Sequence, residues 1–296
     1  MYSVQDYGYV PSVSEIEDKL AGLESGLDAF DNAGVYLKCF SMMDITTLKT
    51  EDSPASVFGF VDRINKLPKA FPGYPMPASV CVFPNLAYVV KRYRTDPEVH
   101  VTAVSACFPT SQSFIEVKEL ECRLAVRAGA DEIDVVLALN AFIGGDLESA
   151  YNEIRAIRKA VDEEAAYFGR KVVLKVILET GLLVSAGKIA VASFLAMEAG
   201  ADFIKTSTGK VQVNATPQAA YVMCECIRAF YEKTGKKVGF KAAGGISSAR
   251  DALVYYSIVS SVLGDEWLDR SSFRFGVSRL GNSLMSAIEG NTVKYF

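Results

Sequence analysis

The sequence of 296 residues contains one histidine, His100, and no Cys-x-x-Cys pair among its six cysteines. Zinc-dependent hydrolases and aldolases draw on clusters of imidazole ligands, and Ser-His or Cys-His nucleophiles need a histidine base close by. A single histidine therefore argues against all of these sites, and we expect neither a metal ion nor another cofactor. The cysteines are expected to be reduced and mostly buried thiols. The acid–base chemistry of any active site then falls to lysines and carboxylates.

Long apolar stretches are also lacking. Val172 to Leu178 is among the longest, yet it is much shorter than the roughly 20 residues that a membrane helix needs, and Lys175 interrupts it. The first residues lack the basic start and apolar core of a secretory signal, so the expected location is cytoplasmic. A net charge of −4 with mixed signs gives no basic face for nucleic acid or anionic lipid. We therefore expect no nucleic acid, no membrane span and a small-molecule ligand that is bound locally.

Short apolar runs alternate with longer amphipathic stretches along the chain. This βα alternation requires a parallel sheet, and it favours an α/β fold of the closed (β/α)8 type, a TIM barrel. An open doubly wound sheet is the alternative, but no Gly-x-Gly-x-x-Gly follows the first strand, as a dinucleotide fold would require. Eight runs are predicted to be strands: Val35 to Ser41, Ser79 to Phe83, Val99 to Cys107, Glu132 to Leu139, Val172 to Leu178, Asp202 to Thr206, Val238 to Ala242 and Phe273 to Val277.

Apolar residues that recur at spacings of three and four predict helices between these strands. Ser113, Thr216 and Ser248 are the expected helix starts, because short hydroxyl side chains cap orphan backbone N–H groups. The predicted helices are Ile115 to Ala128, Leu147 to Tyr167, Ala186 to Ala199, Thr216 to Thr234 and Ala249 to Val262.

The predicted barrel covers residues 34–290 and leaves a segment at each end. Residues 1–33 form an N-terminal extension whose acidic, helical part, Ser14 to Phe30, would cap the bottom of the barrel or pack against a partner. Residues 291–296 form a short C-terminal tail. Thr50 to Pro77 is predicted to be a short helix and a Pro-rich loop rather than a hinge, so we expect no second folded domain.

Two lysines, Lys205 and Lys241, each end a short apolar run that leads into a Gly-rich turn. Burying an ammonium group is costly, and a second cation beside it disfavours the charged form further, so such a pair can keep one amine neutral and nucleophilic. Asp134 lies in an apolar strand and needs a cationic partner, and Lys175 is a third cation for the interior. Each side chain alone also fits a structural role, as a solvated strand end or a buried ion pair. Their convergence at one mouth of a barrel predicts imine chemistry on a carbonyl.

Five segments closely resemble the deoxyribose-phosphate aldolase family: Asp131 to Val136, Lys175 to Gly181, Ala201 to Lys210, Val213 to Pro217 and Gly239 to Gly245. The resemblance runs from about Asp44 to Gly276, strongest in the second half, and in the first half Asp44 to Leu48 and Cys81 to Pro84 match. The Phe-Ile-Lys-Thr-Ser-Thr-Gly-Lys string of residues 203–210 is highly specific together with the later Gly-Phe-Lys-x-Ala-Gly-Gly.

This resemblance implies a metal-free class I aldolase that reversibly cleaves 2-deoxy-D-ribose 5-phosphate into acetaldehyde and D-glyceraldehyde 3-phosphate. It implies that Lys205 forms the Schiff base, that Lys241 is the neighbouring cation that lowers its pKa, and that Asp134 relays a proton through water. Thr208 and Lys210 are expected near the phosphate end. The substrate-binding residues are expected to be Asp44, Thr46, Cys81, Lys175, Thr208, Lys210, Gly244, Gly245, Gly276, Ser278 and Arg279.

Four features depart from the family pattern. Arg279 replaces a small hydroxyl residue and would either grip the phosphate bidentately or fill its cradle, Ala242 replaces a proline, and Ser111 replaces a permissive glycine. The chain ends at Tyr295-Phe296, where some members carry a mobile tail with a catalytic tyrosine. These departures leave open a weakened enzyme, an aldolase for another phosphorylated or unphosphorylated aldehyde, and a protein-binding module. The sequence also leaves open a homodimer and an unknown protein partner.

Overall fold

Eight parallel strands close into a barrel in the computed structural model, which describes residues 4–296. Each strand pairs with the next, and the last pairs with the first. The predicted TIM barrel is thereby confirmed, and the open sheet is excluded. The strands are β1 (Met43–Thr46), β2 (Ser79–Val82), β3 (His100–Val104), β4 (Glu132–Val136), β5 (Val173–Ile177), β6 (Phe203–Lys205), β7 (Gly239–Ala243) and β8 (Phe273–Val277).

Helices surround this barrel, and short 3₁₀ turns lie at Val4–Tyr7, Leu27–Phe30, Pro84–Leu86 and Asp265–Trp267. Each helix that follows a strand shields one side of the sheet from water. Within the described chain, every helix is too short or too polar to span a lipid bilayer. The helices are α1 (Val13–Ser25), α2 (Ala33–Ser41), α3 (Pro54–Ala70), α4 (Ala87–Tyr93), α5 (Ile115–Arg127), α6 (Leu139–Ile143), α7 (Leu147–Tyr167), α8 (Thr180–Leu183), α9 (Ala186–Glu198), α10 (Pro217–Thr234), α11 (Ala249–Leu263) and α12 (Leu280–Glu289).

The first predicted strand, Val35 to Ser41, is wrong, because this segment is helix α2. Asn32 caps the helix by accepting a hydrogen bond from the backbone N–H of Val35 at 3.1 Å. The buried side chains of Tyr36, Cys39 and Phe40 recur at helical spacing, and strand β1 begins only at Met43. An apolar run of this length fits a strand or a buried helix equally well, so periodicity alone does not decide between them.

Two of the three predicted helix starts are confirmed, and the third is wrong. Thr216 accepts a hydrogen bond from Ala219 N at 3.1 Å, and Ser248 accepts one from Asp251 N at 3.0 Å, so both are N-caps. Ser113 is not a cap, because helix α5 follows Phe114 without a side-chain cap. Helix α3 extends over 17 residues, longer than the short helix expected in this Pro-rich region.

The hydrophobic core lies between the strands and the surrounding helices. Strand residues that point outward, such as Ile133, Leu174, Ile204 and Phe240, are fully buried there. The alternate residues point into the barrel, and many of these are charged. A parallel sheet covered by helices explains why both faces of each strand are out of contact with water.

The chain ends lie on the outside of the barrel. The first 3₁₀ turn and α1 contact α9, α10 and α11 rather than the bottom of the barrel, so the expected bottom cap is not formed. At the other end, the Tyr295 hydroxyl donates to the backbone carbonyl of Arg63 at 2.6 Å. Asn282 accepts hydrogen bonds from the backbone N–H groups of Tyr295 and Phe296 at 2.8 and 2.9 Å. The tail is thereby held against the outer helices.

Candidate active site

Lys205 lies at the end of β6, on the floor of a cavity of about 320 Å³ at the mouth of the barrel. Four loops line this mouth cavity, at residues 46–49, 208–210, 243–245 and 276–279. They follow β1, β6, β7 and β8, whose carboxyl ends converge at the same face of a TIM barrel. The Lys205 side chain is almost fully buried, so its amine meets a ligand only from the cavity side.

Asp134 joins three lysines inside the barrel. Its Oδ2 lies 2.8 Å from both Lys205 Nζ and Lys241 Nζ, and its Oδ1 lies 3.0 Å from Lys175 Nζ. The strand register accounts for this meeting, because Lys205 pairs with Lys241 across β6 and β7 and Asp134 pairs with Lys175 across β4 and β5. The interaction predicted between Asp134 and the lysines is therefore present.

The two neighbouring lysines differ in their pKa. Burial lowers the pKa of Lys205 below its ordinary value, and the cation of Lys241 lowers it further, although Asp134 opposes both. Burial also disfavours the Lys241 cation, but Asp134 and Asp44 outweigh it and raise the pKa of Lys241. Lys241 is thus held as the ammonium ion, and Lys205 is the lysine that gives up its proton more easily.

Further charged groups extend downward from Asp134 as an interior ion network, made of Asp44, Glu132, Asp134, Lys175, Lys241 and Arg274. Asp44 Oδ2 lies 2.5 Å from Lys241 Nζ, and its Oδ1 lies 2.5 Å from Arg274. Arg274 also contacts Glu132 at 2.7 Å, and Lys175 contacts Glu132 directly. Burial raises the pKa of Asp134, but its three lysines reverse this and hold it well below the usual range. The network is ionised at neutral pH.

The predicted substrate-binding residues divide into two groups. Thr46, Thr208, Lys210, Gly244, Gly245, Gly276, Ser278 and Arg279 line the mouth cavity. Asp44 and Lys175 are fully buried in the ion network below it, and Cys81 is a buried thiol whose pKa is raised by burial. These three do not line the cavity, so their contact with substrate stays a prediction.

Glycines shape the side of the cavity opposite Lys210. Gly244 and Gly245 have φ values of +84° and +81°, which L-residues with a side chain rarely adopt. A Cβ at Gly244 would lie 2.6 Å from Asn214 Oδ1, and a Cβ at Gly276 would lie 2.8 Å from the Cβ of Ala243. Backbone conformation and close packing therefore require glycine at these positions. Lys49, Lys210 and Arg279 present exposed cations around the cavity.

Known proteins resemble this chain over most of its length. A profile of the DeoC/LacD family of aldolases matches residues 41–260. Human deoxyribose-phosphate aldolase is 41% identical over 259 residues, which cover 84% of this chain and 79% of the human protein. The bovine deoxyribose-phosphate aldolase is 40% identical over the same shares. The chain belongs to the DeoC/LacD family of aldolases.

A solved structure of a tetrameric deoxyribose phosphate aldolase from Aeropyrum pernix aligns with this aldolase at a TM-score of 0.67. The alignment covers 93% of this chain and 98% of the Aeropyrum pernix chain at 24% identity. At this level of identity the likeness concerns the fold, and it agrees with the closed barrel described above.

Glu179 holds a residue of the cavity lining, Thr208, and the sequence prediction missed it. It follows β5 in a left-handed conformation, φ +52°, and is almost fully buried. Its carboxylate accepts hydrogen bonds from the Thr208 backbone N–H at 3.1 Å and from the Thr208 hydroxyl at 2.5 Å. Burial raises the pKa of Glu179. A carboxylate two residues beyond the end of β5, in a segment already matched to the family, was the available signal.

The loop after β6 is tied to two other loops through these contacts. Thr208 Oγ1 accepts a hydrogen bond from the Lys210 backbone N–H at 3.0 Å, and Lys210 Nζ donates to the Leu48 carbonyl at 2.7 Å. Glu179, Thr208, Lys210 and Leu48 thus connect the loops after β5, β6 and β1 beside Lys205. These contacts hold Lys210 in its position.

Ser111 lies in the left-handed region of the backbone, with φ +57°. Its hydroxyl accepts a hydrogen bond from the buried Lys118 at 3.0 Å and donates one to Glu153 at 3.0 Å. These contacts stabilise a conformation that is unfavourable for serine. The Ser111 side chain therefore ties this loop to α5 and α7.

Proposed function

We propose that this aldolase reversibly cleaves 2-deoxy-D-ribose 5-phosphate through a Schiff base on Lys205. The observation that carries the proposal is the contrast between the two lysines that share Asp134 Oδ2. Lys205 has a lowered pKa and faces the mouth cavity, whereas Lys241 is fully buried and held as a cation. A neutral amine beside a fixed cation suits attack on an aldehyde. The likeness to the human and bovine deoxyribose-phosphate aldolases supports the choice of substrate.

The iminium ion formed on Lys205 is the electron sink of the reaction. Lys205 Nζ attacks the C1 aldehyde, and loss of water gives the iminium ion. Removal of the proton on the C3 hydroxyl lets the C2–C3 bond break, which releases D-glyceraldehyde 3-phosphate and leaves an enamine on Lys205. Protonation of the enamine at C2 and hydrolysis by water release acetaldehyde and restore the amine.

Asp134 and Lys241 control the protons in this sequence. Asp134 lies within 2.8 Å of Lys205 Nζ and passes protons to and from the reacting carbon through water. Lys241 keeps the pKa of Lys205 low and keeps Asp134 ionised. Lys210, Ser278 and the backbone at Gly244 and Gly245 hold the phosphate end, where N–H groups and cations suit an anion.

Arg279 favours a second candidate, an aldolase for a different phosphorylated or unphosphorylated aldehyde. Its side chain is exposed on the cavity lining, where the family has a small hydroxyl residue. A role limited to binding another protein is less well supported, because burying an ion network of this size is costly and a binding surface would not need it.

Borohydride trapping tests the proposal. Incubation with 2-deoxy-D-ribose 5-phosphate and borohydride should leave a reduced adduct on Lys205, located by mass spectrometry of peptides. Lys205→Ala should lose the adduct, whereas Lys210→Ala should keep it with weaker substrate binding. An adduct on Lys241, or none with any aldehyde, would contradict the role of Lys205. An adduct with acetaldehyde but not with the sugar phosphate would favour the second candidate.

A further inference from the structure

A second cavity, of about 370 Å³, lies outside the barrel beside the mouth, and we call it the side groove. Helix α1 forms one wall with Val13 and Ile16, and the segment that begins with Thr180 and ends at Ile189 forms the opposite wall. The loop at residues 213–216 and the start of α10 close it. Its volume lies within the range of known small-molecule sites, roughly 300 to 1,000 Å³, and its walls are mostly apolar, as in such sites.

One buried polar atom of the groove lining, Thr180 Oγ1, has no hydrogen-bond partner in the part of the chain that the structure describes. Thr180 is only 4% exposed. Nearby threonines differ, because Thr206 donates to the Ala243 carbonyl at 3.1 Å and Thr216 caps α10. A buried polar atom without a partner is costly, so its presence in a cavity indicates a group that supplies the missing hydrogen bond.

The residues that line the groove also restrict the kind of ligand that could bind there. The Thr180 hydroxyl oxygen can accept a hydrogen bond, whereas Asn214 offers no free group, because its Nδ2 donates to the Val211 carbonyl at 3.1 Å and its Oδ1 lies against Gly244. Glu17 is the one ionisable residue among those that line the groove, and it is an acceptor as well. An apolar pocket with acceptors and a single negative charge fits an apolar molecule with a donating, cationic head. We propose that the side groove binds a small aromatic or branched aliphatic amine.

The side groove is also linked to the active site. Thr180 follows Glu179, which holds Thr208, and Asn214 lies against Gly244 of the mouth cavity. Helix α8 between them is bounded by two left-handed residues, Glu179 at φ +52° and Val184 at φ +63°. A β-branched residue in this conformation is strained, so a ligand that contacts α8 changes the balance at Glu179. An amine in the groove should therefore alter substrate binding, and the substrate should alter amine binding equally.

Fluorine NMR with three matched probes tests the site: 4-fluorobenzylamine, 4-fluorotoluene and 4-fluorobenzoate. We expect the amine to bind best and the benzoate least, because Glu17 carries a negative charge and Thr180 Oγ1 can accept a hydrogen bond. Ala186→Trp fills the groove from a half-buried position on its wall and should abolish amine binding. Lys188→Trp, on the exposed side of the same helix, should leave it unchanged.

Thr180→Val tests the hydrogen bond and guards against a misfolded Ala186→Trp protein. It should weaken amine binding about tenfold and leave 4-fluorotoluene unaffected, because the shape is kept while one partner of a hydrogen bond is lost. No binding of the amine to the wild-type protein, or equal binding in Ala186→Trp, would overturn the site.

The link to the active site rests on the proposed function and is measured separately. Saturating 4-fluorobenzylamine should change KM for 2-deoxy-D-ribose 5-phosphate in the wild-type protein but not in Ala186→Trp. Amine binding without any effect on KM would overturn the link. The NMR result does not depend on the substrate, so a protein inactive on deoxyribose phosphate would leave the binding test intact.

Discussion

The interior ion network and the mouth cavity both carry charge, but they hold it differently. Asp44, Asp134, Lys175 and Lys241 are fully buried, and each lies within ion-pair distance of at least two opposite charges. At the mouth, Lys49, Lys210 and Arg279 are exposed. Charges that are buried away from water interact strongly, whereas exposed charges are screened by solvent and contribute little. We therefore expect the interior to set the chemistry of Lys205 and the mouth to influence which substrate binds.

This difference ranks the expected effects of substitution. Removing one member of the interior network leaves its partners as uncompensated buried charges, and such losses are large. Removing an exposed cation from the mouth costs at most about 1 kcal/mol. The effect of replacing Glu179 is expected to lie between these two, because Glu179 is buried but contacts the loop at the mouth.

Replacing Lys241 with methionine is expected to have the largest effect. Lys241 lowers the pKa of Lys205, so without it Lys205 holds its proton more firmly and less free amine is available at neutral pH. We expect kcat/KM for 2-deoxy-D-ribose 5-phosphate to fall about 10³-fold. The rising limb of the pH profile should also move to higher pH, and rates measured from neutral to alkaline pH would show both.

Lys241→Arg is the matched control. Arginine keeps the cation, so the limb should stay near its wild-type position, although its different shape lowers the rate. If the rising limb of the pH profile does not move in Lys241→Met, burial alone lowers the pKa of Lys205. The interior ion network would then contribute less to the reactivity of Lys205 than its contrast with the mouth cavity implies.

Glu179→Gln should give an intermediate loss. The glutamine has one acceptor where the carboxylate uses two oxygens, so either the N–H or the hydroxyl of Thr208 loses its partner. We expect KM to rise about tenfold, with kcat within about threefold of the wild-type value, because Lys210 loses its position while Lys205 keeps its contact with Asp134. Steady-state kinetics would separate the two constants.

The pH dependence of KM sharpens this test. The pKa of Glu179 is raised, so in the wild-type protein the carboxylate takes up a proton as the pH falls towards that pKa, and KM should rise. In Glu179→Gln this dependence should vanish. Glu51→Gln, an exposed residue near the mouth, removes the same charge and should keep the wild-type profile. A change in kcat rather than KM would place Glu179 with the interior network.

The meeting of Lys205, Lys241 and Asp134 was predictable because strand ends of a TIM barrel converge, whatever the loops do. The strands that carry these residues can be recognised in the sequence as short apolar runs between turn residues. Val35 to Ser41 failed the same test, because a run of seven residues fits a buried helix as well, and only its packing decides.

Glu179 and the side groove were not predictable for a different reason. Their geometry depends on a left-handed backbone in residues other than glycine and on the way α1 packs against α10. Sequence patterns describe single elements and their period, whereas these features arise where several loops meet. The position of Arg279 was predictable, but not its exposure.

Arg279→Ser should have a smaller effect at the mouth. Arg279 is exposed on the cavity lining, so its attraction for a phosphate is limited by solvent. We expect KM for 2-deoxy-D-ribose 5-phosphate to rise about fivefold, which corresponds to roughly 1 kcal/mol. KM for unphosphorylated 2-deoxy-D-ribose should not change, and comparing the two substrates is the control. A lower KM for the phosphate ester would show instead that Arg279 fills the cradle.

Tyr295→Phe is expected to have the smallest effect on catalysis, although some family members use a tail tyrosine. The hydroxyl of Tyr295 is bound to the Arg63 carbonyl, its ring lies against Phe71, and it does not line the mouth cavity. We expect kcat to change less than about twofold, while the free energy of unfolding falls by about 1 kcal/mol, the usual value of one hydrogen bond. Tyr74→Phe, which removes the hydrogen bond to Glu289 in the same cluster, is the matched control for stability. A tenfold loss of kcat in Tyr295→Phe but not in Tyr74→Phe would show that the tail leaves its place on the outer helices during turnover, and that the mouth is completed by a residue from outside it.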